Sequence, residues 1–226
     1  MKIQTRSSQG EAGAPRHGRR FSWLTRILAV GSLTVVALGT GAGTAIAYGT
    51  PLPCTARSEA AVFAPWGDTA TYFRVSNGGF ESGSTSWALS GGATVVYGNE
   101  PYRVGGSSDS HSLRIPPGGA AESRTLCVSR GEDTVRFFVY NPHVSGAILH
   151  VDAIAVNPDT GAVGYSAFDV NGDVPSSPWA PTMKLMIPKV AGSTSGTESV
   201  TLYFTLRGTP ATWAIDDVYI DPFKSW

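Results

Sequence analysis

The sequence lacks the short motifs that commit a chain to one chemistry. No G-x-S-x-G elbow is present, and Gly192-Ser193-Thr194-Ser195-Gly196 carries threonine where that nucleophile would stand. The four histidines fall at no H-E-x-x-H or other metal-ligand spacing. Asp169-Val170-Asn171-Gly172-Asp173 starts like a calcium loop. Val174 then takes the sixth position and Ala180 the twelfth, where Gly and Glu are needed, so a hairpin turn is expected. Charge of one sign is also missing, since 17 Lys and Arg balance 17 Asp and Glu. The balance comes from a basic N-terminal stretch, and the remaining chain is mildly acidic, so nucleic acid and anionic membrane, which need clustered cations, are poor partners. Nowhere does a long 3.6-residue apolar period appear, which excludes a helical architecture. No sequence feature nominates a pair of carboxylates for glycoside hydrolysis.

What is present starts with a leader. Six cations (Lys2, Arg6, Arg16, Arg19, Arg20 and Arg26) stand against Glu11 alone, and an apolar run follows from Ile27 to Leu38. Ala45-Ile46-Ala47 supplies a small-residue cleavage site, so residues 1–47 read as a secretory signal peptide with Tyr48 as the new N-terminus. The alternative is an uncleaved anchor, because the 21 residues Ile27–Ala47 are just long enough to span. Gly39, Thr40, Gly41, Gly43 and Thr44 dilute that stretch and favour cleavage, which leaves a secreted chain with no membrane insertion. The chain beyond the leader holds eleven cations against sixteen acids, a net charge of −5.

Only two cysteines occur, Cys54 and Cys127, both beyond the leader. In an exported chain that pairing is expected as a disulfide, tying residues 48–70 to the segment around Leu126-Cys127-Val128. Within 48–70, Phe63-Ala64-Pro65-Trp66-Gly67-Asp68 is expected to hold an arm against the main domain through Trp66.

Residues 71–226 alternate short extended runs with turns rich in Gly and Pro. Tyr72–Val75, Trp87–Leu89, Ala93–Tyr97, Ser112–Ile115, Ala147–Val156 and Trp213–Ile220 read as strands. Thr134–Tyr140 is apolar on both faces apart from Arg136, as a central strand should be. In Ser199–Leu206, Val200, Leu202, Phe204 and Leu206 take one face and Thr201, Tyr203 and Thr205 the other. About ten such strands predict an all-β fold, an antiparallel β-sandwich of one domain.

Two stretches at opposite ends sharpen this. Asn77-Gly78-Gly79-Phe80-Glu81-Ser82-Gly83 followed by Trp87, and the closing Ile215-Asp216-Asp217-Val218-Tyr219-Ile220, resemble the carbohydrate-binding modules of the galactose-binding-like β-sandwich superfamily. The resemblance covers roughly residues 71–222. It implies a jelly-roll closed by pairing near Phe80-Glu81 and Asp216-Asp217, with Trp87 and Trp213 in the core. It also implies a structural calcium between first and last strands, held by Glu81 and Asp216. Adjacent strand residues point to opposite faces, so only one aspartate of the pair can serve one site.

The function implied is a non-catalytic binding module for extracellular carbohydrate or a cell-envelope ligand. A structural or adhesive surface protein with a protein partner is the alternative, and a stand-alone hydrolase a third. Sugar rings stack on exposed aromatic faces. Tyr102 and Trp179 lead the candidates because they read as loop residues with no strand to bury them. Tyr203 and Tyr140 follow on sheet faces. His150 is expected at the surface.

Overall fold

The computed structural model describes Cys54 and residues 57–129, 131–173, 178–192 and 196–221. The signal-peptide reading of residues 1–47 lies outside the described residues, as do the centre of the Gly192–Gly196 stretch, Val174 of the calcium-loop comparison and Pro222.

Fourteen strands form among the described residues. They are β1 (Glu59–Ala60), β2 (Tyr72–Arg74), β3 (Trp87–Ser90), β4 (Thr94–Tyr97), β5 (His111–Ile115), β6 (Ala120–Ser123) and β7 (Leu126–Ser129). Then follow β8 (Thr134–Tyr140), β9 (Ala147–Val156), β10 (Val163–Asn171), β11 (Trp179–Pro181), β12 (Leu185–Met186), β13 (Thr197–Gly208) and β14 (Trp213–Asp221). All pair antiparallel, in two sheets.

In the eight-stranded sheet β14 is central, with β8 along one side and β5 and β2 sharing the other. β4 lies outside β5, β1 outside β2, and β11 and β12 outside β8. In the six-stranded sheet the order is β10-β9-β13, and β6 and β7 divide the other edge of β13, with β3 outside β6.

Alternation decides what meets between the sheets. Val135, Phe137 and Val139 of β8 face Leu149, Val151 and Ala153 of β9 and Val200, Leu202 and Phe204 of β13 in one core. Trp87 packs on Phe80 and Phe204 with centroids 5.1 and 5.9 Å away, and Trp213 is fully buried beside them.

β8 is buried at six of its seven residues, as its two-faced apolar pattern requires. The reason is a second, smaller core on the outer face of its sheet. There Phe138, Tyr72 and Tyr219 pack against Phe63, which the arm delivers just ahead of a 3-10 turn at Ala64–Trp66.

The closure of the sheet differs from the expected one. Phe80 and Glu81 lie in a turn. The strand beside β14 is β2, with Phe73 opposite Ile220 and Arg74 opposite Tyr219. Of the 169–173 stretch expected as a hairpin turn, Asp169–Asn171 instead complete β10, and Gly172 and Asp173 lie in a turn.

Candidate functional site

β14 carries a bulge. Its pairing with β8 shifts between Asp216 and Tyr219, and Asp217 takes a left-handed φ of 49°. The inward set accordingly changes from Trp213 and Ile215 to Val218 and Ile220. The two aspartates at this irregularity are both fully buried.

The β4–β5 connection folds over the bulge and brings two more acids. Glu100 is fully buried, and its carboxylate accepts the amides of Tyr102 and Val104, the latter at 2.7 Å. Asp216 accepts the amides of Glu100 at 3.2 Å and Asp217 at 2.8 Å. Asp217 accepts the Gly105 amide at 3.2 Å and Arg74 Nη1 at 3.1 Å. Asp109 lies 4.0 Å from the same guanidinium, is 4% exposed, and its Oδ2 has no hydrogen-bond partner. Glu100, Asp109 and Asp217 each offer an oxygen within 4.8 Å of the others.

Two glycines permit the approach. A Cβ at Gly79 would lie 2.7 Å from Arg74 Nη1, and one at Gly105 would lie 2.5 Å from Asp109 Oδ2.

Burial pushes the Asp216 carboxyl up to about 9, with the neighbouring Asp217 charge adding to it. Burial and then the Asp217 charge raise Asp109 to about 7. Burial likewise raises Glu100 and Asp217. Hard carboxylate oxygens and an orphaned buried acceptor fit a hard cation.

This trio is not the pair named by the resemblance. Asp216 is turned to backbone amides. Glu81 sits in the turn after β2, where it caps the start of β5. It accepts the amides of Ser110 and His111 at 2.8 and 2.7 Å and the Ser110 hydroxyl at 2.9 Å, and it contacts His111 Nδ1 at 3.0 Å. Partial burial works against its charge, but those bonds prevail and hold the carboxyl at about 2 instead of 4.5.

A depressed carboxyl stabilises the fold fully above pH 4.5 and loses that contribution as pH falls towards 2. Glu81→Gln is therefore expected to flatten the acid limb of stability, read by urea unfolding at pH 6 and pH 3. Identical acid limbs for the two proteins would show that Glu81 contributes nothing to it.

The aromatic candidates Tyr102 and Trp179 are brought together. The Tyr102 hydroxyl donates to the Trp179 carbonyl at 3.2 Å, and the Tyr102 ring sits 4.8 Å from Trp66 and 5.8 Å from Phe138. Trp179 is not a loop residue. It opens β11, directly opposite Tyr140, whose ring is 5.8 Å away. Tyr102 and Tyr140 remain 43% and 40% exposed at the rim of the second core.

A third feature lies on the outer face of the six-stranded sheet. Ala88, Ser90 and Ala120 are small, so the surface beside Tyr203 sinks into a cavity of about 230 Å³. The Tyr203 hydroxyl donates to Glu122 at 3.0 Å. Across the sheet Tyr203 stands opposite Asp152, which accepts the Tyr165 hydroxyl at 2.5 Å and lies 2.8 Å from His150 Nε2. His150 Nδ1 is 2.6 Å from Asp169. His150 is thus only 3% exposed and not a surface residue, because carboxylates flank both ring nitrogens. Strand alternation marks its face correctly but not the neighbours that cover it.

No protein-family model matches the sequence, and no curated protein matches it. Solved structures of carbohydrate-binding modules are similar to the sandwich. One is TmCBM61 in complex with β-1,4-galactotriose, at 18% identity and TM-score 0.41, covering 67% of this chain and 98% of that module. Another is the C-terminal family 22 carbohydrate-binding module of Clostridium thermocellum Xyn10B, at 13% identity and TM-score 0.37, covering 67% and 98%. A third is the CBM22-1-GH10 portion of the Clostridium thermocellum xylanase Xyn10B complexed with xylohexaose, at 17% identity and TM-score 0.42. That match covers 67% of this chain and 29% of that one. Likeness of this degree concerns the β-sandwich and transfers no binding residue.

Proposed function

We propose that the protein is an exported, non-catalytic carbohydrate-binding module that uses the outer face of its six-stranded sheet. The observation that carries this reading is the cavity beside Tyr203. A pyranose presents an apolar C–H face and a rim of hydroxyls. The Tyr203 ring and the methyl groups of Ala88 and Ala120 suit the former, and Ser90, Glu122 and Asp152 suit the latter. The Cys54–Cys127 disulfide supports export, since such bonds persist in oxidising compartments.

A second reading places the sugar on Tyr102 and Trp179, favoured by their joint exposed rim with Tyr140. A glycan array followed by titration of Tyr203→Ala, Tyr102→Ala and Trp179→Ala separates the two. Loss of a central aromatic contact is expected to weaken binding by roughly tenfold or more. Weakening confined to Tyr203→Ala locates the ligand in the cavity, and weakening confined to the other two moves it to the opposite sheet. A folded protein that binds no glycan would sink the carbohydrate reading and point to a protein partner at the cell surface.

A further inference from the structure

We infer that the free edge of β10 is a self-association surface, at which two copies of this chain pair antiparallel about Ala167. Edge strands normally carry a guard against such pairing: shortness, a Lys or Pro, or a bulge. Among the described residues every other edge strand (β1, β3, β4, β7, β11 and β12) has four residues or fewer. β10 has nine, pairs with β9 without a break, and holds no Lys, Arg or Pro.

The direction of its free backbone groups follows from the flanking turns. The Asn157 amide donates to the Ala162 carbonyl and the Gly172 amide to the Ala147 carbonyl, both at 2.8 Å. Both bonds extend the β9–β10 register, so the even-numbered residues of β10 turn their amides and carbonyls towards β9. Val163, Tyr165, Ala167, Asp169 and Asn171 therefore point theirs outward, and these are the exposed residues of the strand. Among the described residues no backbone hydrogen bond reaches that edge.

A second copy matches this edge in shape and charge. Antiparallel pairing about Ala167 uses all nine residues, setting Ala167 opposite its own copy, Tyr165 opposite Asp169 and Val163 opposite Asn171. On the inner side Gly164 then stands opposite Val170 and Ser166 opposite Phe168, so each large side chain meets a small one. Phe168 and Val170 pack on the core yet are only half-buried, and the second strand covers them. Asp169 is the strand's single charge, and His150 Nδ1 lies 2.6 Å from it. In this register the two copies of Asp169 fall roughly 14 Å apart, beyond the screening length of physiological salt. Centring the pair on Asp169 would instead oppose like charges.

Such pairing joins two six-stranded sheets into one, with the two-fold axis passing through the Ala167 pair perpendicular to the sheet. The outer faces of both copies then look the same way. Where the carbohydrate reading holds, the two cavities beside Tyr203 can engage one polysaccharide together and gain avidity.

Analytical ultracentrifugation of the full chain tests this beside Ala167→Lys and Tyr165→Lys, with circular dichroism reporting the sandwich in each. Wild type is expected to sediment as a dimer at roughly 100 μM. Ala167→Lys sets two lysines against each other at the axis and should raise the dimer dissociation constant tenfold or more, an order-of-magnitude expectation for opposed like charges. Tyr165→Lys adds the same charge to the same strand, but opposite Asp169 of the second copy, so its dimer should persist. A wild type that stays monomeric overturns the inference, as does association that folded Ala167→Lys leaves intact. Tyr165→Lys dissociating as readily as Ala167→Lys overturns the pairing about Ala167. No glycan enters these measurements, so their failure leaves the carbohydrate reading standing.

Discussion

Replacing Cys54 and Cys127 with serine is expected to lower stability by about 4 kcal/mol, because the bond closes a loop with a sequence separation of 73. For a domain of this size that corresponds to a fall of roughly 10 °C in Tm. The native state should lose as well, since the bond acts across the two sheets. Cys127 belongs to β7 of the six-stranded sheet, whereas β1, five residues beyond Cys54, joins the eight-stranded sheet through β2. The disulfide and β1 therefore tie the arm to both sheets like a staple.

Arg57 reinforces the staple from between those two points. It donates to the Cys127 carbonyl and to Glu132 at 2.8 Å, and its guanidinium lies 3.9 Å from the Phe73 ring centroid. Urea unfolding with and without reductant measures the effect. A difference under about 1 kcal/mol would mean that Arg57 and β1 hold the arm unaided, and that loop closure contributes little here.

How much of this was legible in the sequence depended on the range of the interactions. β13 and β8 were readable because alternation and two-faced burial are local properties, and Phe204 and Phe137 indeed meet in the core at 5.3 Å. β1, β11 and β12 have two or three residues each, too few to show a period, and they exist because a longer strand offers an edge. For that reason the sequence around Trp179 reads as a loop although the residue opens β11.

The carboxylate site was half legible. Its Asp216-Asp217 dipeptide stood out, but choosing between the two required the bulge, and a bulge is a break in the alternation on which the choice relied. Glu100 and Asp109 had no motif to mark them. They reach the site through a glycine-containing connection that only tertiary folding closes. Glu81 is conspicuous within its motif, yet its partners, Ser110 and His111, are hydrogen-bond donors 29 and 30 residues away at a strand start, and no motif marks them.

Arg136→Met is expected to lower stability by about 3 kcal/mol, the lower end of the range for breaking a buried ion pair. Arg136 is 7% exposed on the outer row of β8. Its Nε donates to the Thr182 carbonyl at 2.8 Å, its Nη1 donates to Asp68 at 2.7 Å, and its guanidinium carbon lies 4.1 Å from the Phe63 ring centroid. Methionine retains the apolar packing but leaves the buried Thr182 carbonyl without this donor. Asp68 keeps the Tyr72 hydroxyl at 2.5 Å and Lys184 at 3.4 Å, which moderates the loss. Denaturant unfolding of the variant measures it, and a change below about 1 kcal/mol would mean that the apolar contacts of Phe63 hold the arm by themselves. The same variant bears on function. Tyr102 and Trp179 rest on the core that Phe63 and Phe138 build, so loosening the arm should weaken any ligand held on that rim. A ligand in the cavity beside Tyr203 lies on the other sheet, where nothing contacts Arg136, and its affinity should survive the substitution.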